Sequence, residues 1–134
     1  MVGKFNGMNE DMQKIDDDHS LKLSEVDEPQ RRRSALYLTM AQIPPGKVIS
    51  YGELAAMAGL GRAARWVGRT LSQLPEGTSL PWHRVIAAGG RLSLPAGTRS
   101  GQEQRARLRA EGVTIVNDRV DVRRHGWLST EHSG

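Results

Sequence analysis

The chain has 134 residues, 19 Lys plus Arg against 15 Asp plus Glu, a formal charge of +4 and no cysteine. That length supports one domain with a modest core, and the missing cysteines exclude disulfides, thiolate metal sites and any cysteine nucleophile. No apolar run is long enough for a membrane span or a signal-peptide core, so the expected address is the cytoplasm.

Charge is divided unevenly along the chain. Residues 1–28 hold three lysines against eight acids, a net of −5, whereas residues 29–134 hold 16 basic groups against seven acids, a net of +9. The first stretch, with its run Asp16-Asp17-Asp18, reads as a disordered acidic leader. In the second, every cation except Lys47 is arginine. Such a body invites a polyanion, because the guanidinium fork matches phosphate oxygens and base edges.

A first helix is predicted from Pro29, with Asp27 and Glu28 at its positive end and Arg31, Arg32 and Arg33 in its opening turn. Leu36, Met40 and Ile43 recur at helical spacing and face the core. Pro44-Pro45-Gly46 ends the helical run. Val48 and Ile49 form a short extended piece, and Ser50-Tyr51-Gly52-Glu53 fits a capping box that starts a second, short helix. Leu54, Ala55 and Ala58 point inward there, and Gly59 closes it.

A third helix is expected from about Arg62 to Leu74, stopped by Pro75. Two helices joined by a short glycine turn match a helix-turn-helix. Arg62, Arg65, Arg69 and Gln73 fall on one stripe of the third helix, while Ala64, Val67, Leu71 and Leu74 pack inward. Ala63 and Gly68 keep the backbone bare beside the arginines. With no acid on it, this helix is the predicted DNA-contacting element.

Further along, residues 80–86 read as a buried, strand-like segment turning at Gly89-Gly90, and residues 91–101 as a loop. A fourth helix is expected over residues 101–111, with Arg105 as a peripheral charge. A hairpin follows, its strands at residues 113–116 and 120–122 split by Asn117-Asp118-Arg119. Residues from Ser129 read as a frayed tail, leaving residues 29–128 as the folded body. His19, His83, His125 and His132 lack metal-ligand spacing, and no glycine-rich phosphate loop is present, so neither metal nor cofactor is expected.

Three strings carry a resemblance: Pro44-Pro45-Gly46-Lys47-Val48-Ile49-Ser50-Tyr51-Gly52-Glu53-Leu54-Ala55, then Arg62-Ala63-Ala64-Arg65-Trp66-Val67-Gly68, then Pro81-Trp82-His83-Arg84-Val85. In order and spacing they resemble the DNA-binding domain of O6-alkylguanine-DNA alkyltransferases, over about Pro29 to Trp127. The resemblance implies a mainly α fold with small β elements, a winged helix-turn-helix-like domain of the alkylguanine alkyltransferase type.

The departure sits inside the best motif. Where the transferases carry the cysteine that accepts the alkyl group, this chain has Trp82, whose indole nitrogen is only a donor and cannot act as nucleophile. The chain is therefore similar to the alkyltransferase-like proteins, a non-enzymatic branch. That likeness implies a monomer that binds double-stranded DNA carrying O6-alkylguanine through the minor groove and flips the damaged nucleotide out. By the same likeness the bound complex marks the site for nucleotide excision repair proteins, or shields the lesion from true transferases.

Residue roles follow from the same likeness. Arg62, Ala63, Ala64, Arg65, Trp66, Gly68 and Arg69 would face DNA, with Arg65 filling the gap left by the flipped nucleotide. Tyr51 would press on the adjacent phosphate. Tyr51, Trp82, Val85 (through its backbone oxygen) and Ser93 would line the lesion pocket. His83 and Glu111 match a proton-relay pair whose thiol is gone, leaving a buried hydrogen-bonded pair. Leu74 replaces a hinge asparagine, and Trp66 stands where the transferases have a small residue. Two other readings fit these residues: a winged helix-turn-helix regulator or architectural protein without lesion preference, and a glycosylase-type enzyme using His83 and Glu111.

Overall fold

A computed structural model of the chain describes residues 28–128. Two units divide the chain, residues 1–34 and 35–134, and the described part of the first is the opening of one helix. The expected acidic leader (apart from Glu28) and the expected tail lie outside the described residues.

Helix α1 (Glu28–Met40) buries Leu36 and Met40, and the chain beyond it buries Ile43. Strand β1 (Ile49–Ser50) runs straight into α2 (Tyr51–Met57). Ser50 caps α2 as its sequence requires. Its hydroxyl accepts from the Glu53 amide at 3.1 Å, and the Glu53 carboxylate accepts from the Ser50 amide at 3.1 Å. Then come α3 (Ala64–Ser72), a 3-10 turn (Trp82–Arg84), strand β2 (Val85–Ile86), a second 3-10 turn (Ala88–Gly90) and α4 (Arg99–Ala110). The chain closes with β3 (Ile115–Val116), β4 (Arg119–Val120) and α5 (Val122–His125). The mainly helical fold with small sheets is the expected class.

Strands β1 and β2 pair in parallel, Ile49 opposite Val85 and Ser50 opposite Ile86. Alternation along a strand sends successive side chains to opposite faces, and here each face has its own core. Ile49 and Val85 join Leu36, Met40, Leu54 and Val67 on one side. Val48 and Ile86 join Leu92, Leu108, Val113 and Val120 on the other. A bridge between Val48 and Gly126 brings the segment after α5 onto the same ladder. The hairpin of β3 and β4 turns on Asn117 (φ 52°) and Asp118 (φ 60°), both left-handed as a two-residue turn needs. Arg119 accordingly sits in the strand, not in the turn.

One carboxylate ties these layers together. Glu111, just past α4, accepts from Arg84 Nη2 at 2.7 Å, from His83 Nε2 at 2.8 Å and from the Gly46 amide at 2.8 Å. Arg84 Nη1 also donates to the Ile43 carbonyl at 2.8 Å. Gly46 reaches the carboxylate with φ +83°, a conformation glycine adopts without strain. Burial alone would raise the Glu111 carboxyl, but the donors from Arg84, Gly46 and His83 outweigh it and lower it from 4.5 to about 2. Burial lowers His83 below its ordinary value, so the His83–Glu111 contact is a hydrogen bond from a neutral imidazole.

This knot corrects the strand expected over residues 80–86, which holds only at Val85 and Ile86. His83 and Arg84 are consecutive yet both bond Glu111. A strand would point them to opposite faces; the 3-10 turn lets them converge. Arg105 is likewise corrected, being buried where a peripheral charge was expected. Its Nη1 donates to the Leu94 and Gly101 carbonyls and its Nη2 to Asp118, which fastens the hairpin to α4. The helix expected to open at Gly101 starts earlier, because Thr98 caps it and accepts from the Gly101 amide. The short α5, capped by Asp121, was not expected from the sequence.

Two outcomes are expected. Below pH 4.5 the unfolded chain takes up a proton at Glu111 that the folded chain refuses until about pH 2, so stability declines over that window by roughly 3 kcal/mol. Burial lowers His83 as well, which adds acid sensitivity from its ordinary value near 6.5 downward. Urea titrations at pH 7 and pH 3 check this: Glu111→Gln should lose about 3 kcal/mol at pH 7 and lack the carboxylate's acid step. Arg105→Ala should lose about 2 kcal/mol in thermal unfolding, against about 0.5 kcal/mol or less for Arg109→Ala.

Candidate nucleic-acid interface

Helices α2 and α3 pack as the expected helix-turn-helix, joined through Gly59 and Gly61, both at positive φ. Helix α3 starts at Ala64, two residues later than expected, and this shifts its faces. Ala63 is buried as the cap residue, its carbonyl accepting from the Val67 amide, and the inward stripe is Ala63, Val67 and Thr70, with Leu71 and Leu74 packed partly against the core. Ala64 is exposed, contrary to expectation. Arg62 lies in the turn before the helix and so off its stripe. Arg65 and Arg69, four apart, remain exposed on one face with Gln73.

Gly68 stands between them. A Cβ there would meet no other atom within 4 Å, so packing inside the chain does not require glycine at this position. Trp66 is half-buried and packs against the first core, with no conflict with its own fold.

Beside α3 opens a cleft of about 470 Å³, within the range of small-molecule sites. Tyr51, Trp82 and Val85 line it together with Gly68, Leu71, Ser72 and Leu74. Two further grooves of the described residues have no Trp, Tyr or Phe in their walls. Tyr51 is placed by the Ser50 cap at the head of α2, and its hydroxyl lies 3.2 Å from Ser93 Oγ. Ser93 does not itself line the cleft; it holds Tyr51 at its edge.

Trp82 is half-buried, meeting His83 edge-on with ring centres 6.3 Å apart. The turn behind it is pinned by Gln104, whose Nε2 donates to the His83 and Val85 carbonyls, both at 3.3 Å. His83 and Glu111 sit behind this wall. The ionised carboxylate only accepts, so Nε2 of the neutral imidazole carries the proton, and Nδ1 is left buried without a partner among the described residues.

Helix α4 supplies a wall that sequence reasoning missed: Arg99, Glu103, Gln104 and Arg107 all face the cleft. Their spacing at intervals of about one helical turn was the available signal. Nothing in it said which way the stripe would face. Among the described residues no cluster of His, Asp and Glu could hold a metal ion, and no helix is long and apolar enough to cross a membrane.

The comparisons with known proteins agree with this geometry. Residues 31–113 match the family described as 6-O-methylguanine DNA methyltransferase, DNA binding domain. The chain is 40% identical over 114 residues to the DNA base-flipping protein of Escherichia coli, covering 82% of this chain and 87% of that one. It is 41% identical over 80 residues to alkyltransferase-like protein 1 of Schizosaccharomyces pombe, covering 60% of this chain and 74% of the other. In structure it is similar to S. pombe Atl1 in complex with damaged DNA containing O6-carboxymethylguanine, with TM-score 0.68 and 33% identity over 73% of this chain and 95% of that one. A match of this extent, across both helices of the helix-turn-helix and the Pro-Trp-His-Arg turn, settles the affiliation: the chain belongs to the family of the 6-O-methylguanine DNA methyltransferase DNA-binding domain.

Proposed function

We propose that this protein, as a monomer, binds O6-alkylguanine in double-stranded DNA, flips the damaged nucleotide into the Trp82 cleft and hands the site to nucleotide excision repair. The observation that carries the reading is the meeting of Tyr51, Trp82 and Val85, from three separate elements, in one cleft against the arginine-bearing helix. The names of the relatives support it, since they speak of base flipping and of damaged DNA. Among the described residues the exposed large apolar side chains are Leu38, Met57, Val116, Val122 and Leu128, spread over several elements. That scatter suits a monomer.

The steps follow from the residues. Arg65 and Arg69 approach the duplex across the minor groove, and the bare backbone at Gly68 lets the helix come close. Extruding a nucleotide costs a few kcal/mol of stacking. Arg65 offsets this by occupying the vacated place, where its planar cation stacks on neighbouring bases. Tyr51, fixed at the head of α2, bears on the phosphate beside the flipped nucleotide. In the cleft the Val85 carbonyl meets the base edge and the Trp82 ring receives the substituent.

A methyl group gains roughly 0.8 kcal/mol on burial, which favours the alkylated base over plain guanine. The chain has no cysteine to accept the alkyl group, and in this reading the lesion leaves the cleft unchanged. His83 and Glu111 then serve the fold, holding the turn that presents Trp82.

Titration of a duplex with one O6-methylguanine against the same duplex with guanine tests the reading. The lesion should bind at least several-fold tighter and be recovered intact; equal affinities would sink it. Arg65→Ala should weaken lesion binding by about tenfold or more while undamaged-duplex binding changes much less, which a 2-aminopurine reporter of flipping can follow. Trp82→Ala should lower the lesion-to-guanine ratio toward one. An unchanged ratio would place the substituent elsewhere.

A further inference from the structure

The cleft carries a cation beside Trp82, the ring assigned above to the substituent of a flipped guanine. We propose that Arg107 sorts O6 substituents by charge, holding an anionic one in preference to a neutral one of similar size. This rests on the placement of the flipped base against Trp82 given above.

The guanidinium carbon of Arg107 lies 5.7 Å from the centre of the Trp82 ring, over its face, and both side chains line the cleft. A cation over an indole face is held there by the ring quadrupole. Its field also reaches behind the ring, where the charge of Arg107 is among the lesser causes that add to burial in disfavouring protonation of His83. Glu103, one turn earlier on α4, takes Arg107 Nη2 at 2.7 Å. That contact occupies one edge of a group with five N–H donors. The two side chains are 39% and 45% exposed, so water screens the pair and it contributes little.

The cleft has one other acid in its lining, Glu76, which stands 3.9 Å from Arg99 with both side chains about nine-tenths exposed. Among the described residues no buried carboxylate is paired with Arg107. A base that fills the cleft displaces water, and every charge interaction inside then strengthens. A carboxylate on the substituent gains a charge-assisted N–H···O bond from Arg107. A neutral hydroxyl gains contact and the weaker bond of an uncharged acceptor, and an ammonium is repelled.

Dissociation constants for four duplexes of one sequence test this: O6-carboxymethylguanine, O6-(2-hydroxyethyl)guanine, O6-(2-aminoethyl)guanine and guanine. The carboxymethyl duplex should bind about tenfold tighter than the hydroxyethyl one, with the aminoethyl duplex the weakest lesion. Arg107→Gln should bring the carboxymethyl-to-hydroxyethyl ratio to within about twofold, with most of the loss falling on the carboxymethyl duplex. Glu103→Gln should enlarge the ratio, a gain that a folding defect does not produce. A wild-type ratio near one, a full ratio surviving in Arg107→Gln, or no gain in Glu103→Gln would overturn the proposal. Three lesions that outbind guanine equally remove charge sorting alone; three that bind no tighter than guanine remove the lesion reading itself.

Discussion

The fold depends on the Glu111 carboxylate more than on any other single group. Three donors from distant parts of the chain converge on it: the Gly46 amide, the His83 imidazole and the Arg84 guanidinium. Arg84 passes the connection on to the Ile43 carbonyl. The end of α1, the turn before β1, the turn before β2 and the end of α4 are thereby fixed to one point. A carboxylate so supplied with donors stays ionised, and most of its surface is shielded from water. Remove it, and the shielded imidazole loses its side-chain partner while the shielded Arg84 cation keeps only the Ile43 carbonyl.

Around that point the two-rung ladder of β1 and β2 does the positioning. It is short, yet its two faces belong to different cores. The face toward Leu54 and Val67 carries the helix-turn-helix; the face toward Leu108 and Val120 carries α4 and the hairpin. The cleft opens where the two meet, with walls from α2, α3, the Trp82 turn and α4. Each wall is anchored separately: Tyr51 by the Ser50 cap, the Trp82 turn by Gln104 and Glu111, and α4 by the buried Arg105.

Much of this is legible in the residues. The capping box at Ser50, the Pro-Pro-Gly stop, the glycine turn before α3 and the two-strand hairpin each rest on local chemistry that the surrounding structure does not override. The misses are of a different kind. His83 and Arg84 look like alternating strand residues until Glu111, about 27 positions on, pulls both to one side. Arg105 looks peripheral because an arginine usually is; its burial depends on two backbone carbonyls and Asp118, none of which local periodicity reveals. The shift of two residues at the start of α3 exchanges the places of Ala63 and Ala64, since small residues give pattern reasoning little grip. Tyr51, Trp82 and Val85 as cleft residues were reached through family likeness, whereas the α4 wall needed three dimensions.

The pair His83–Glu111 carries a consequence for how such chains are sorted. Its partners here are folding partners: the carboxylate holds the layers together, and the imidazole is neutral and packed behind the wall. Selection for a stable domain is enough to keep both residues in place, whatever happens at the neighbouring position. Trp82 stands half in solvent, packed against the edge of the first core and outside the knot. A fingerprint built on the histidine and the glutamate will therefore gather chains by architecture, and what each does must be read from the cleft in front of the pair.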